Sequence, residues 1–248
     1  MTKRDDVRTK ALDNLKEFEV LMLNGHFDYG NGYHGRVYLN PHRIFRQPSL
    51  IWRFAQDLID ILPEHIVSSA DVVAGPVMGG ALLAHTLAGL LDSRRPLTHP
   101  KTSFAPLSFD DGGTMVIRPF YRTVVSGKRV LLADDIRNTG GTFQKAKELL
   151  EGAGGTVIAT VEIYDRLEAI VDLGVPNFAL AGYRAPDNFE AAACPMCRDG
   201  MPVTTFRVMD LAVSWPVPEI ARISSGGAGP SRRRPGQSQT AGALPAQV

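Results

Sequence analysis

VLLADDIRNTGGTF, Val130 to Phe143, runs from a four-residue apolar segment through two adjacent acids, Asp134 and Asp135, into a Thr-Gly-Gly-Thr turn and then a helical pattern. The apolar segment reads as a buried strand of the parallel type. Adjacent carboxylates repel, and burying them unpaired costs on the order of several kcal/mol. They are therefore expected at the strand's carboxyl end, facing hydroxyls, a cation or helix-terminal N–H groups. A vicinal diol suits them, because a carboxylate accepts both O–H groups. Gly140 and Gly141 let the backbone close on a ligand, and Thr139 and Thr142 add hydroxyl donors. Free N–H groups at a helix N-terminus form a phosphate site. Read together, the segment predicts a ribose held by the acids and a phosphate held by the turn. A capped helix and a plain glycine turn would explain the acids and glycines taken singly.

Outward from this stretch, strand and helix signals alternate. Residues 5–23 carry a helical apolar pattern through Val7, Leu12, Leu15, Phe18, Val20 and Leu21. NGHFDYGNGYHGRVYLN, Asn24–Asn40, mixes turn formers with aromatics and predicts short strands and turns. PSLIWRFAQDLIDIL, Pro48–Leu62, predicts an amphipathic helix with Pro in its first turn. DVVAG is a short strand, with the helix GGALLAHTLAGLL after it, and MVIRPF is a further strand candidate. The helix TFQKAKELLEGAG stops at Gly152–Gly155, and GTVIATVEIYD and FALAGY read as strands. The alternation predicts an α/β fold, a Rossmann-like central parallel sheet of about five strands with helices on both faces. From Ser224 the composition turns to Gly, Ser, Pro, Ala and Gln, which predicts a disordered tail over 224–248. Residues 1–223 are expected to form a single domain.

Composition narrows the partners. The 248 residues suffice for one ordinary α/β domain, and 44% hydrophobic content predicts a packed core. A formal net charge of +1 gives no case for a nucleic-acid or membrane partner, and the SRRRP cluster at Arg232–Arg234 reads as a solvated patch. The weakly charged run Val72–Leu91 contains Pro, four Gly and a His, so it reads as strand, loop and helix rather than a membrane span. MTKRDDVRTK has no apolar signal-peptide core, so a cytoplasmic location is expected.

Ligands of open α/β sheets bind outside the carboxyl ends of the strands. The loops after DVVAG, VLLADD and VEIYD are therefore where a site belongs. AGPVMGGA, Ala74–Ala81, follows a strand and opens a helix; its three glycines, Gly75, Gly79 and Gly80, with Pro76 among them, leave accessible backbone N–H groups that suit a diphosphate.

The string from Val130 to Thr142 resembles the phosphoribosyl-diphosphate (PRPP) motif of the type I phosphoribosyltransferases: apolar run, two acids, an aliphatic residue, two variable positions, Thr-Gly, one residue, then Thr. The loop with Gly75, Gly79 and Gly80 resembles that family's diphosphate loop. Three further stretches resemble the orotate phosphoribosyltransferases. GHFDYGNGYHGRVYLN is similar to their amino-terminal Gly-His-Phe, Ser-Gly-x-His-Ser, Tyr segment at Gly25, His26, Phe27, Gly32, His34 and Tyr38, with Asn31 and Gly35 replacing the usual serines. YDRLE, Tyr164–Glu168, looks like their Asp-Arg-x-Glu stretch, which implies that Arg166 meets the orotate carboxylate. CPMCRDGMPV resembles the Cys-Pro-Leu-Cys element of one subgroup.

The departures bear on chemistry. Asn138 replaces the first threonine of the subgroup's Thr-Thr-Gly. Many orotate enzymes carry an Arg-Lys pair on a mobile loop, whereas FDDGGTMVIRPFYR has no lysine and Arg118 is its nearest match. The expected Lys-Pro-Gly-Ser ending is absent, with TTFRVMD in its place. A lone Cys-x-x-Cys, here Cys194 and Cys197, supplies two zinc ligands where a structural site wants four. Two such pairs from two subunits would complete one; the plainer reading is a turn that packs the chain end, and a thiol-redox role lacks its strand and helix. His26, His34 and His42 lack a metal-helix spacing and are expected in structural or substrate-edge roles. Tyr29 and Tyr33 fit either core positions or a stack on a base.

The resemblance implies transfer of ribose 5-phosphate from PRPP to a nucleobase, orotate above others, with Mg²⁺ as cofactor. It implies that Asp134 and Asp135 hold the ribose and the metal. Asn138, Thr139, Gly140, Gly141 and Thr142 would hold the 5-phosphate; Gly75, Pro76, Gly79, Gly80 and Arg118 the diphosphate; Arg166, Phe27 and His34 the base. It also implies a homodimer and a small hood built from about 1–45 and 175–223 over a core of about 46–174. Two alternatives stand beside it: a purine or other base phosphoribosyltransferase, and a PRPP-binding regulator with weak chemistry.

Overall fold

The computed structural model describes residues 3–29, 32–167, 171–184 and 188–205. The chain divides into two units, Met1–Arg207 and Val208–Val248, and every described residue belongs to the first. Asn31, Glu168, most of TTFRVMD and the tail 224–248, all singled out above, lie outside the described residues.

Helix α1 (Lys3–Glu17) buries Ala11 and Leu15 in the main core. It ends before the residue-23 limit its apolar pattern suggested, because Glu19 takes a positive φ of 52° and turns the chain. Four short strands follow: β1 (Leu21–Met22), β2 (Phe27–Asp28), β3 (Tyr33–Gly35) and β4 (Tyr38–Leu39). Helix α2 (His42–Phe45) leads into α3 (Pro48–Ile61), whose proline stands in the first turn and whose buried face carries Leu50, Phe54, Leu58 and Ile61. After α4 (Glu64–Ser69), β5 (Val72–Pro76) is buried throughout and runs into α5 (Gly79–Ser93).

Strand β6 (Ser103–Phe109) pairs parallel to β5, and β7 (Met115–Val116) returns antiparallel to it. The expected strand MVIRPF thus stops at Val116, because Pro119 starts helix α6 (Pro119–Val125). Then come β8 (Arg129–Arg137), α7 (Gly141–Gly152), β9 (Thr156–Asp165) and β10 (Asn177–Gly182). The last described elements are β11 (Phe189–Glu190), the short helix α8 (Pro195–Arg198) and β12 (Thr204–Thr205).

The central sheet has the order β10-β9-β8-β5-β6-β7, parallel except for the β7 edge. The five parallel strands match the expected number. Side chains alternate between two cores: Val73, Leu131 and Ala133 face α3 and α5, while Val72, Ala74, Val130 and Leu132 face α6 and α7. Helices thus cover both faces, as the near-continuous apolar strands require.

A second sheet, β11-β3-β2-β12, joins the early segment 27–35 to the late segment 189–205 and forms the hood. Its extent differs from expectation at both ends. Helix α1 belongs to the core layer, because Ala11 and Leu15 pack there, and 177–182 is an edge strand of the central sheet, held in parallel register by β9.

Candidate active site

From β5 the chain moves to β6 on one side of the sheet; from β8 it moves to β9 on the other. The order reverses between β5 and β8, and a crevice opens at such a switch point. Pairing between the two strands runs from Val72 opposite Val130 to Ala74 opposite Leu132. Asp134 and Asp135 come just past that point. They lie within β8 rather than at its end, since β8 continues to Arg137 through its pairing with β9.

Asp134 is buried, at 7% exposure, and Asp135 is half-buried. The Asp135 N–H donates to Asp134 Oδ1 at 2.9 Å, and the Ile136 N–H donates to Asp135 Oδ1 at 2.9 Å. Burial first, and then the charge of Asp135, hold the Asp134 carboxyl well above the usual carboxylate range; Glu162 on β9 adds to it. Such a pair is suited to hydroxyl donors or a hard cation.

The loop after β5 presses onto the pair. A Cβ on Gly79 would overlap Asp135 Oδ2, one on Gly80 would come within 2.8 Å of Asp134 Oδ1, and one on Gly75 would overlap the Gly80 carbonyl. Only glycine permits this approach. Gly79 and Gly80 also begin α5, which has no side-chain cap and no acid in its first turn. Helix α7 begins in the same state. Its N-cap, Gly140, takes φ +92°, which glycine tolerates. At both helix N-termini the N-cap residue thus makes no side-chain hydrogen bond among the described residues, the arrangement in which first-turn N–H groups suit an anion.

A cavity of about 340 Å³ opens over the pair. Asp134, Asp135, Asn138, Thr142 and Arg166 line it from the core, and Tyr29, Val37, Tyr38 and Leu39 from the N-terminal segment. Tyr29 donates from Oη to the Val37 carbonyl at 2.6 Å and stacks with Tyr38, centroids 6.5 Å apart. A Cβ on Gly35 would overlap Tyr29 Oη, so the tyrosine hydroxyl occupies the place of the serine side chain expected at 35. Of the two open aromatics, Tyr29 lines the cavity and Tyr33 is exposed.

A second cavity of about 500 Å³ lies between the β6–β7 hairpin and α7, lined by Phe109, Thr114, Met115, Thr142 and Lys145. Lys145 escaped the sequence reading. Its only signal there is the spacing of three residues from Thr142 on one helix face.

Three expected site residues fall elsewhere. Arg118 is exposed at the N-cap of α6 and lines neither cavity. Phe27 is buried and packs on Tyr38, ring centroids 5.7 Å apart. His34 is buried within the hood, where its Nδ1 lies 3.0 Å from His26 Nε2 and 3.3 Å from Cys197 Sγ. The β3 pairing that buries His34 sets it with the cysteines rather than over the acids. CPMC likewise does more than turn the chain end, since both its sulfurs reach these histidines.

Residues 48–173 match the phosphoribosyl transferase domain family. The chain is 29% identical over 196 residues to the orotate phosphoribosyltransferase of Caldanaerobacter subterraneus subsp. tengcongensis, covering 79% of this chain and 95% of that protein. It is 30% identical over 193 residues to the orotate phosphoribosyltransferase of Heliobacterium modesticaldum, covering 78% and 94%. Among solved structures, orotate phosphoribosyltransferase from Aeropyrum pernix is similar in fold with a TM-score of 0.53, at 22% identity over 68% of this chain and 92% of that one. Adenine phosphoribosyltransferase from Saccharomyces cerevisiae also has a TM-score of 0.53, at 22% identity over 69% and 99%.

Proposed function

The chain belongs to the phosphoribosyltransferase family, and from that premise we propose that it transfers ribose 5-phosphate from PRPP to orotate, releasing diphosphate, as a step of pyrimidine nucleotide biosynthesis. The curated relatives support orotate as the base. The observation that carries the chemistry is the acid pair at the switch point between two uncapped helix N-termini.

Asp134 and Asp135 accept the ribose diol and keep negative charge near C1, where an oxocarbenium-like transition state gathers positive charge. The N–H groups of the turn from Asn138 to Thr142, with the Thr139 and Thr142 hydroxyls, hold the 5-phosphate. The loop from Gly75 to Gly80 holds the diphosphate at the start of α5. The Arg166 guanidinium, at the cavity wall, receives the orotate carboxylate with its two-pronged fork. Tyr29 and Tyr38 flank the base. Holding both reactants in one crevice supplies much of the rate.

The donors suit Mg²⁺: two adjacent carboxylates offer hard oxygen ligands whose mutual repulsion a divalent cation relieves. Asp134 and Asp135 would hold it, and when bound it neutralises charge on the departing diphosphate. A cytoplasmic homodimer is part of the same proposal and rests on the family resemblance.

One observation favours the regulator with weak chemistry: Arg118 lies outside both cavities and residues 104–122 contain no lysine. The deciding experiment incubates the protein with PRPP, Mg²⁺ and orotate, following loss of orotate absorbance and release of diphosphate. Adenine, guanine, hypoxanthine, xanthine and uracil run alongside. Orotate-dependent release is expected, and the Asp134→Asn, Asp135→Asn double variant should lose it. PRPP binding without turnover on any base would favour the regulator; full turnover by the double variant would sink the assigned chemistry.

A further inference from the structure

The hood contains a cluster for which the reaction has no use. His26, just before β2, and His34 on β3 meet Cys194 and Cys197, which flank and enter α8. One ligand atom from each lies within 4.8 Å of all the others. His26 Nε2 is 3.0 Å from His34 Nδ1, 3.5 Å from Cys194 Sγ and 3.6 Å from Cys197 Sγ, and Cys197 Sγ is 3.3 Å from His34 Nδ1. We propose that these four side chains form a structural Cys₂His₂ zinc site that staples the hood together.

The spacing fits a tetrahedral ion. With Zn–N near 2.0–2.1 Å and Zn–S near 2.3 Å, the edges of such a site are about 3.3 Å between nitrogens and about 3.6 Å between nitrogen and sulfur. The separations above lie close to those edges. The outer contacts orient the ligands as well. His26 Nδ1 donates to the Met201 carbonyl at 2.9 Å, which leaves the Nε2 lone pair facing inward. His34 Nε2 faces the Asp28 carboxylate at 4.0 Å, and its Nδ1 faces the cluster. Two imidazole lone pairs at 3.0 Å repel unless a proton or a cation lies between them, and two sulfurs stand beside them. Two thiolates and two neutral imidazoles balance the charge of Zn²⁺, with two thiol protons released on binding. All four positions come from protein, which marks a structural site rather than a catalytic one.

The fold gives the staple a task. The hood strands are two or three residues long, and such ladders do not hold themselves together. The four ligands join segment 26–34 to segment 194–197. The adjoining segment, with Tyr29, Val37 and Tyr38, forms one wall of the candidate base cavity.

The test is elemental analysis of the full-length chain purified without chelator from zinc-replete cells, followed by exchange with Co²⁺. About one zinc per chain is expected. The cobalt form should show the visible ligand-field bands of a tetrahedral ion and a thiolate-to-metal charge-transfer band. Cys194→Ser and His26→Gln should each lower zinc content at least tenfold, and both thiols should react with a thiol reagent only after chelation. If the variants fail to fold, the cobalt spectrum of the unaltered chain decides. Absence of zinc together with absence of the cobalt spectrum would overturn the site. So would a Cys194–Cys197 disulfide found by mass, or bound zinc indifferent to both substitutions in folded variants.

Discussion

At Gly75, within β5, and Gly79, the first residue of α5, the backbone approaches its neighbours so closely that a methyl group has a different consequence at each. A Cβ on Gly75 would meet the Gly80 carbonyl and the Ala133 carbonyl, which are backbone and cannot step aside. A Cβ on Gly79 would meet the Asp135 carboxylate and the Phe45 ring, which can rotate. Gly75→Ala should therefore destabilise the fold by about 1–3 kcal/mol, as overpacking does. Gly79→Ala should keep most of its stability but lose turnover at least tenfold, because Asp135 is pushed from its place. Urea midpoints and kcat/KM for PRPP measured on both variants check this; equal loss of stability would remove the distinction. The acids and these glycines were legible in the sequence because each set belongs to one short strand-to-helix stretch, the acids to Val130–Phe143 and the glycines to Ala74–Ala81. His34 was not, because its partners Cys194 and Cys197 stand far away in sequence and meet it only through the hood sheet. Gly35 was read as a departure from the orotate enzymes, and its cause, the Tyr29 hydroxyl filling the same space, is visible only in three dimensions.

The turn from β8 into α7 concentrates the local signals that made the fold readable. Strand β8 keeps its ladder with β9 as far as Arg137, and the chain then reverses through Gly140 at φ +92° to start α7. An L-residue in that region costs roughly 1–2 kcal/mol. A Cβ there would also stand 3.3 Å from Val171 Cβ and 3.4 Å from Arg137 Nη2. Gly140→Ala is expected to lower stability by about that amount and to raise the KM for PRPP at least tenfold while orotate binding changes little. Unchanged KM would argue that the turn does not hold the 5-phosphate. Strand β6 shows the opposite case, an element the sequence hid. Its exposure alternates along 103–109, but Pro106 interrupts the pattern and cannot donate to a ladder. It is tolerated opposite Gly75 in the parallel pairing with β5. Helix α1 ends earlier than its apolar pattern: Val20 and Leu21 continue the count, but Glu19 turns the chain, and Leu21 enters β1.

Across the whole molecule, the sheet that sets the acid pair also buries a second carboxyl behind it, and this makes stability depend on pH. Glu162 on β9 is fully buried and stands in register with Asp134. Its Oε1 accepts from Asn177 Nδ2 at 2.7 Å, while Oε2 has no hydrogen-bond partner among the described residues. Burial pushes its pKa up to about 8, Asp165 adds to the rise, and Asn177 and Arg137 oppose it. The folded protein therefore keeps this proton over a range where the unfolded chain, with an ordinary value near 4.5, has released it. The folded state binds more protons than the unfolded one between those two values, so the contribution to stability falls as pH rises through the window. The slope from this one group approaches about 1 kcal/mol per pH unit. Below 4.5 both states are protonated and above about 8 both are ionised, so the dependence flattens at each end. Glu162→Gln retains an acceptor for Asn177 and removes the titration. It should match the parent chain near pH 5 and exceed it increasingly towards pH 8. Urea unfolding of both proteins across pH 5–8, without Mg²⁺ or substrate, measures the difference. Parallel curves would mean that Glu162 is ionised in the folded state and that Arg137, whose Nε also lacks a hydrogen-bond partner among the described residues, compensates it.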